Sequence, residues 1–233
     1  MPHALIERPD YRERIFIVGA NGSGKSYFAA RLLSILPRWV AIDLKGDFGE
    51  DIELDRHALV ITSPGDWRWR LFPVHVKRII YRPKPADYGT VDDIVGRMFE
   101  RARILKKRYG KGHQYRFYLY CDEALLQSRG RKTVNLAGSA ITGRSLEMGF
   151  IVSSQRLSWI PVEVRTEAWR VYVFYQSSVD EERDVLKLAK NKLTLQQLDE
   201  LGADYSFYEL KRTDGGIIQV THFPKLSHKE VQG

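Results

Sequence analysis

One cysteine in 233 residues, Cys121, rules out an internal disulfide framework, and its place in an apolar run makes it a small buried hydrophobe suited to a reducing compartment. Long apolar runs are missing too: nothing approaches the roughly 20 residues that a membrane helix needs. The first fourteen residues mix Pro, Glu, Arg and Asp with few consecutive apolar side chains and read as neither a signal peptide nor a transit peptide. The expectation is a protein that is not secreted, has no transmembrane segment and meets a membrane only through partners. Internal repeats and low-complexity tracts are also absent, which excludes solenoid architectures. Acid is the scarcer charge, 29 Asp plus Glu against 37 Lys plus Arg, for a formal charge of +8. That balance suits a polyanionic partner and equally a basic surface kept for solubility.

The length fits one large α/β domain. The expected division is an N-terminal arm at 1–14, a single domain at 15–223 and a polar tail at 224–233. The domain opens on the β-branched and aromatic run Ile15-Phe16-Ile17-Val18, followed by Gly19-Ala20-Asn21-Gly22-Ser23-Gly24-Lys25-Ser26 and a helix-compatible segment from Tyr27 to Leu36. This is G-x-x-x-x-G-K-[ST] between a strand and a helix. Its glycines let backbone N–H groups converge on phosphate oxygens, and the helix N-terminus adds a favourable dipole. Lys25 would reach the β- and γ-phosphates of ATP, and the Ser26 hydroxyl would join the shell of Mg²⁺.

The next buried run, Trp39 to Ile42, ends in Asp43, and Asp43-Leu44-Lys45-Gly46-Asp47 therefore points at the nucleotide side of a parallel sheet. Asp43 reads either as a nucleotide-site carboxylate or as the cap of the following turn. Ala58 to Thr62 and Ile79 to Arg82 are further strands. Between them Trp67-Arg68-Trp69-Arg70 could stack on bases, or both Trp could pack beneath the loop while the Arg heads reach water. A helix from Val91 to Arg108 carries apolar residues at helical spacing and a basic tail including Lys106, Lys107, Arg108 and Lys111, either a solvated face or a polyanion footprint.

Phe117 to Cys121 is an apolar strand ending in Asp122-Glu123. After a complete phosphate loop, this pair reads as the second half of a hydrolytic site, Asp122 holding Mg²⁺ through its water shell and Glu123 polarising the attacking water. Two adjacent carboxylates are costly without a cation, which rationalises the metal. A basic turn, Ser128-Arg129-Gly130-Arg131-Lys132, precedes a helix expected from Val134 to Met148, and the strand Gly149 to Ser154 ends at Gln155. Gln155 either senses the γ-phosphate or makes turn hydrogen bonds. Val171 to Tyr175 is another strand, Asp180 to Lys190 and Leu195 to Leu201 are short helices, and Tyr205 to Phe223 reads as a terminal hairpin around Asp214-Gly215-Gly216.

In this order the motifs resemble the FtsK/HerA superfamily of ring-forming P-loop ATPases. The matching elements are Gly19 to Ser26, Asp43 to Asp47, Asp122-Glu123, Gly143-Arg144, Ser154-Gln155-Arg156, Val173 to Ser178 and Asp180 to Leu186. The resemblance implies a RecA-like fold, a mostly parallel central sheet flanked by helices with a C-terminal β-hairpin. It also implies a homo-oligomeric ring, a hexamer, with ATP hydrolysed between protomers and double-stranded DNA, bound without sequence preference, in the channel. On that reading the nucleotide contacts are Gly19, Ala20, Asn21, Gly22, Ser23, Gly24, Lys25, Ser26, Tyr27 and Asp43. Arg144 is the arginine finger offered to a neighbour, and Arg129, Arg131 and Lys132 form a channel loop. The chain is expected to carry no membrane-spanning or DNA-reading accessory domain, an economy that resembles the genome-packaging ATPases of membrane-containing double jelly-roll icosahedral viruses. This implies capsid or vertex proteins as partners and a place in the host cytoplasm or at the virion's packaging vertex. The same motor in a cellular or plasmid HerA-type translocase is the alternative. A nucleotide-dependent assembly switch is a third reading, disfavoured by the intact Asp122-Glu123 pair.

Overall fold

The computed structural model describes residues 6–50, 58–123, 134–160, 162–202 and 205–224. In chain order these contain β1 (Arg14–Val18), α1 (Lys25–Ser34), β2 (Trp39–Ile42), α2 (Asp47–Glu50), β3 (Leu59–Ile61), β4 (Arg78–Tyr81) and α3 (Val91–Tyr109). There follow β5 (Tyr118–Cys121), α4 (Val134–Thr142), β6 (Gly149–Ser154), α5 (Val162–Arg165), β7 (Arg170–Val173), α6 (Val179–Leu188), α7 (Leu195–Asp199), β8 (Phe207–Arg212) and β9 (Ile218–Phe223). The strands form one nine-stranded sheet in the order β3-β4-β2-β5-β6-β1-β7-β8-β9. All pairings from β3 to β7 are parallel, and the terminal hairpin adds β8 and β9 antiparallel.

Strands buried on both faces read as continuous apolar runs, and alternate residues in each supply opposite faces. On one face Ile15 and Ile17 pack with Phe28, Ala29 and Leu32 of α1 and Phe48 of α2. On the other, Phe16 and Val18 join Ile94, Val95, Met98 and Leu105 of α3, Ala140 of α4 and Val185 of α6. Each such side chain taken fully from water contributes roughly 1.5–3 kcal/mol, so the two faces pull the helices into a three-layer sandwich. No helix among the described residues is long and apolar enough to cross a membrane.

Local chemistry sets the departures from the sequence reading. The helix expected from Val134 to Met148 stops at Thr142 and tightens into a 3₁₀ turn, Gly143–Leu146, closed by Glu147 at φ 56. The buried Arg14 guanidinium enforces the stop, donating from Nε to the Ala140 carbonyl at 2.6 Å and from Nη1 to that of Met148 at 3.1 Å. A side chain on Gly143 would approach Arg14 Nη2 to 3.2 Å. The Trp pair divides: Trp69 is buried and donates to the Ser63 carbonyl, whereas Trp67 is 66% exposed. The arm at 6–13 packs on the sheet, with Tyr11 stacked on Tyr118 and Glu7 and Glu13 paired to Arg170.

Candidate nucleotide site

The phosphate loop leaves the sheet at the carboxyl end of β1, held on both sides by neighbouring strands. Gly19 N–H donates to the Ser154 carbonyl at 3.3 Å and Ala20 N–H to that of Tyr175 at 2.7 Å. A Cβ on Gly19 would stand 2.6 Å from Phe174 Cβ and 2.9 Å from Ser23 Oγ, so only glycine lets the loop pass. Gly24, at φ 97, is the N-cap of α1, and no side chain among the described residues caps that helix. The orphan N–H groups and positive dipole end of α1 therefore face the cleft.

Lys25 is 6% exposed, and its Nζ donates to the Ala20 carbonyl at 2.7 Å. Burial pulls its pKa down to about 8 against the attraction of Glu123 and Asp122. Ser23 Oγ is buried within the loop without a hydrogen-bond partner among the described residues. A cationic amine held at such cost beside an unsatisfied hydroxyl and a bare helix end fits a polyphosphate. The cleft alongside has a volume of about 340 Å³ and is lined by Asn21, Gly22, Gly24, Lys25, Ser26, Tyr27, Lys45, Asp47 and Tyr205.

The carboxylates come from β5, with β6 intervening between it and β1. Asp122 Oδ1 accepts from Tyr120 at 3.2 Å and from the Ser153 hydroxyl. Burial pushes its pKa up to about 6, the Ser153 and Lys45 interactions opposing that rise. Glu123 is 1% exposed and adopts φ 42, a left-handed conformation that a non-glycine residue holds only at a cost of order 1–3 kcal/mol. Its Oε1 pairs with Lys45 at 3.0 Å, and its buried Oε2 has no hydrogen-bond partner among the described residues. The two carboxylates and the Ser26 hydroxyl at this sheet edge are hard oxygens of the kind that Mg²⁺ selects, and the unsatisfied Oε2 beside a destabilised Asp122 fits a cation there.

Asp43 takes the capping course of its two readings. It accepts from the N–H groups of Gly46, Asp47 and Phe48 at 2.9, 3.1 and 3.4 Å and pairs with Arg82 at 2.9 Å. That turn starts α2 and delivers Lys45 and Asp47 to the cleft, where Ser26 Oγ donates to Asp47 Oδ2 at 3.1 Å. Gln155 stands half-buried just past β6, one strand from Gly19. Arg156, beside it, pairs with Glu181 at 2.9 Å.

Arg144 lies elsewhere. Its turn precedes β6, and the register Arg14 to Phe150 through Val18 to Ser154 places it at the amino edge of the sheet. A five-residue strand spans roughly 17 Å, so Arg144 is on the far side from its own phosphate loop. It is exposed and sits over the Trp169 ring at 5.6 Å. Lys106 donates to the Ser145 carbonyl in the same turn, so its ammonium is engaged locally. Lys107 and Lys111 are exposed and have no carbonyl or carboxylate partner among the described residues, and Arg108 lies over the Tyr109 ring at 5.3 Å. Arg129, Arg131 and Lys132 lie outside the described residues.

Lys45 and Asp47 fall in a segment that the sequence already pointed at the nucleotide, although no role was attached to either. Tyr205 carried no signal: it is brought to the phosphate loop only because β8 runs antiparallel beside β7.

Neither a protein-family model nor a curated protein sequence matches this chain. Solved structures do. The genome packaging NTPase B204 from Sulfolobus turreted icosahedral virus 2, in complex with ATP-gammaS, superposes with a TM-score of 0.66 and 19% identity, over 94% of this chain and 100% of that one. B204, the DNA-packaging ATPase from Sulfolobus turreted icosahedral virus, gives 0.64 at 18% identity over 94% and 99%. The cytoplasmic domain of the type VII secretion ATPase EccC from Thermomonospora curvata gives 0.61 at 17% identity, over 93% of this chain and 25% of that one. The chain thus has the P-loop ATPase fold, shared with a viral DNA-packaging ATPase and a type VII secretion ATPase.

Proposed function

We propose that this chain is an ATP-hydrolysing motor that drives double-stranded DNA into a preformed viral capsid, acting as a homo-oligomeric ring. The observation that carries the reading is the convergence of Lys25, Ser26, Asp122 and Glu123 on one sheet edge with Arg144 on the opposite edge. The end-to-end likeness to B204 supports the cargo, and the basic exposed end of α3 supports a polyanion.

The loop N–H groups and Lys25 bind the β- and γ-phosphates. Ser26 and Asp122 would hold Mg²⁺, which neutralises charge on the phosphate oxygens when bound. Glu123 accepts a proton from water as the water oxygen attacks the γ-phosphorus, the bond from that phosphorus to the bridging oxygen breaks, and ADP and phosphate leave. Gln155 orients that water. Arg144 cannot serve its own cleft, so it completes the site of the next protomer and stabilises the charge on the transferring phosphoryl group. Lys107, Arg108 and Lys111 contact DNA phosphates, which carry no sequence information.

The test is ATPase activity with and without linear duplex DNA for wild type, Lys25→Ala and Glu123→Gln. Stimulation by DNA in wild type and its loss in both variants is expected. Hydrolysis indifferent to DNA, by a chain that stays monomeric with nucleotide, would overturn the proposal. The likeness to EccC favours a second reading in which the same motor moves a different polymer, and stimulation by polypeptide rather than DNA would establish it.

A further inference from the structure

The phosphate loop explains how a triphosphate is held but offers nothing apolar to the rest of a nucleotide. The cleft's aromatic lining comes from Tyr27 and Tyr205. Tyr205 is 45% exposed although the next two residues, Ser206 and Phe207, are buried at 3% and 0%. Its ring carbon Cδ1 would lie 2.8 Å from a Cβ placed on Gly24, so the ring presses on the last turn of the loop at the point where α1 begins. The backbone of Tyr205 is at φ 62, in the left-handed region that an aromatic residue rarely occupies. A strained backbone that holds a large ring half in water against a ligand loop is a costly arrangement, and such outliers collect at ligand clamps.

We propose that the Tyr205 ring is the base subsite of this nucleotide site, stacking on the nucleobase whose phosphates lie in the Gly19 to Ser26 loop. The inference rests on the reading of that loop as a nucleotide cradle. Three further features fit it. The register of β8 on β7 pairs Tyr208 with Val173, so the chain just before β8 returns to the carboxyl edge beside β1, where the phosphates would sit. The anchoring of Phe207, stacked on Phe174 with centroids 4.9 Å apart and on Phe223 at 4.9 Å, fixes the position from which Tyr205 projects. The close approach to Gly24 ties the ring to the loop, so base and phosphates would be registered by one rigid unit.

Binding of ADP and of inorganic tripolyphosphate, measured by calorimetry on the full chain, separates the two parts of the site. Tyr205→Gly keeps a residue at ease at φ 62 and removes the ring, while Tyr205→Phe keeps the ring and removes the hydroxyl. Tyr205→Gly is expected to weaken ADP by roughly tenfold or more, the scale of base–aromatic stacking, while tripolyphosphate stays within about twofold of wild type. Tyr205→Phe should match wild type for both ligands, and Tyr205→Gly should retain a cooperative thermal melt. Equal ADP affinity in Tyr205→Gly and wild type, or a parallel loss of both ligands, would overturn the base subsite while leaving the phosphate cradle standing. Wild type that binds neither ligand, or Lys25→Ala that binds both as well as wild type does, would overturn the cradle and the subsite with it.

Discussion

Lys45 Nζ lies 3.0 Å from Glu123 Oε1, so the carboxylate proposed to activate water is tied to a cation from the neighbouring strand end. The pair is asymmetric: the Glu123 side chain is 1% exposed and that of Lys45 is 34% exposed. Removing the lysine would leave a buried charge uncompensated. Lys45→Met is expected to cost about 1–3 kcal/mol, below the roughly 3–5 kcal/mol of a fully buried pair because the lysine end is partly in water. In a Glu123→Gln background the same substitution should cost much less, giving a coupling of order 1 kcal/mol or more in a urea-denaturation double-mutant cycle. Equal costs in the two backgrounds would show that the contact carries no stability.

Arg144 and Glu123 sit at opposite edges of the sheet, which makes a prediction about mixtures. Glu123→Gln and Arg144→Ala should each lower ATP turnover by about 10²-fold or more when assembled alone. Mixed, they should recover part of the wild-type rate, because some interfaces then join an intact Glu123 to an intact Arg144. Mixtures no more active than the separate variants would place Arg144 outside the reaction.

The basic end of α3 contains two kinds of cation. Arg101 donates to the carbonyls of Phe72 and Arg70, so Arg101→Ala should chiefly lower stability. Lys107 and Lys111 have no such commitments among the described residues. Lys107→Ala and Lys111→Ala should weaken duplex DNA binding uniformly across sequences and each reduce the salt-dependence slope by about 0.9. Fluorescence anisotropy across a salt series reads this directly.

His113 gives a pH signature. Its Nδ1 accepts from the Tyr115 N–H at 3.2 Å, its buried Nε2 has no hydrogen-bond partner among the described residues, and burial holds its pKa below the ordinary histidine value. Glu147 opposes that shift and Arg116 adds to it. The folded state therefore binds the proton less readily than the unfolded chain. Its stability contribution is complete above about pH 6.5 and is lost as pH falls below it. Thermal melts at pH 7.5 and 5.5 should show a smaller acid-induced drop in His113→Gln than in wild type.

Much of the site was legible because its chemistry is local. Gly19 to Ser26 is one continuous segment whose spacing encodes a loop, and Asp122-Glu123 announces itself as charge at the end of an apolar run. The alternation that buries β1 on both faces, and the helical spacing of Val91 to Leu105, likewise need only near neighbours in the chain. Asp43 shows the limit. A carboxylate at a strand end can face a ligand or cap a turn, and only the arrival of Arg82 and three backbone N–H groups selects the cap. The Trp67 and Trp69 pair divides between water and core for the same reason, since the burial of Trp69 depends on Tyr81 and Ser63 being beside it.

The sequence by itself determined most of the strands and longer helices, the phosphate loop and the acidic strand end, because each follows from periodicity or a fixed spacing within a few residues. Strand order, and everything that depends on it, belonged to the tertiary structure. It decided that β6 lies between β1 and β5, that Lys45 meets Glu123, that Arg144 faces away from its own cleft, and that Tyr205 arrives at Gly24 from the other end of the chain. The physical reason is that these are encounters between residues far apart in sequence. Their closeness is set by how a twisted sheet buries both its faces, and no local pattern records it.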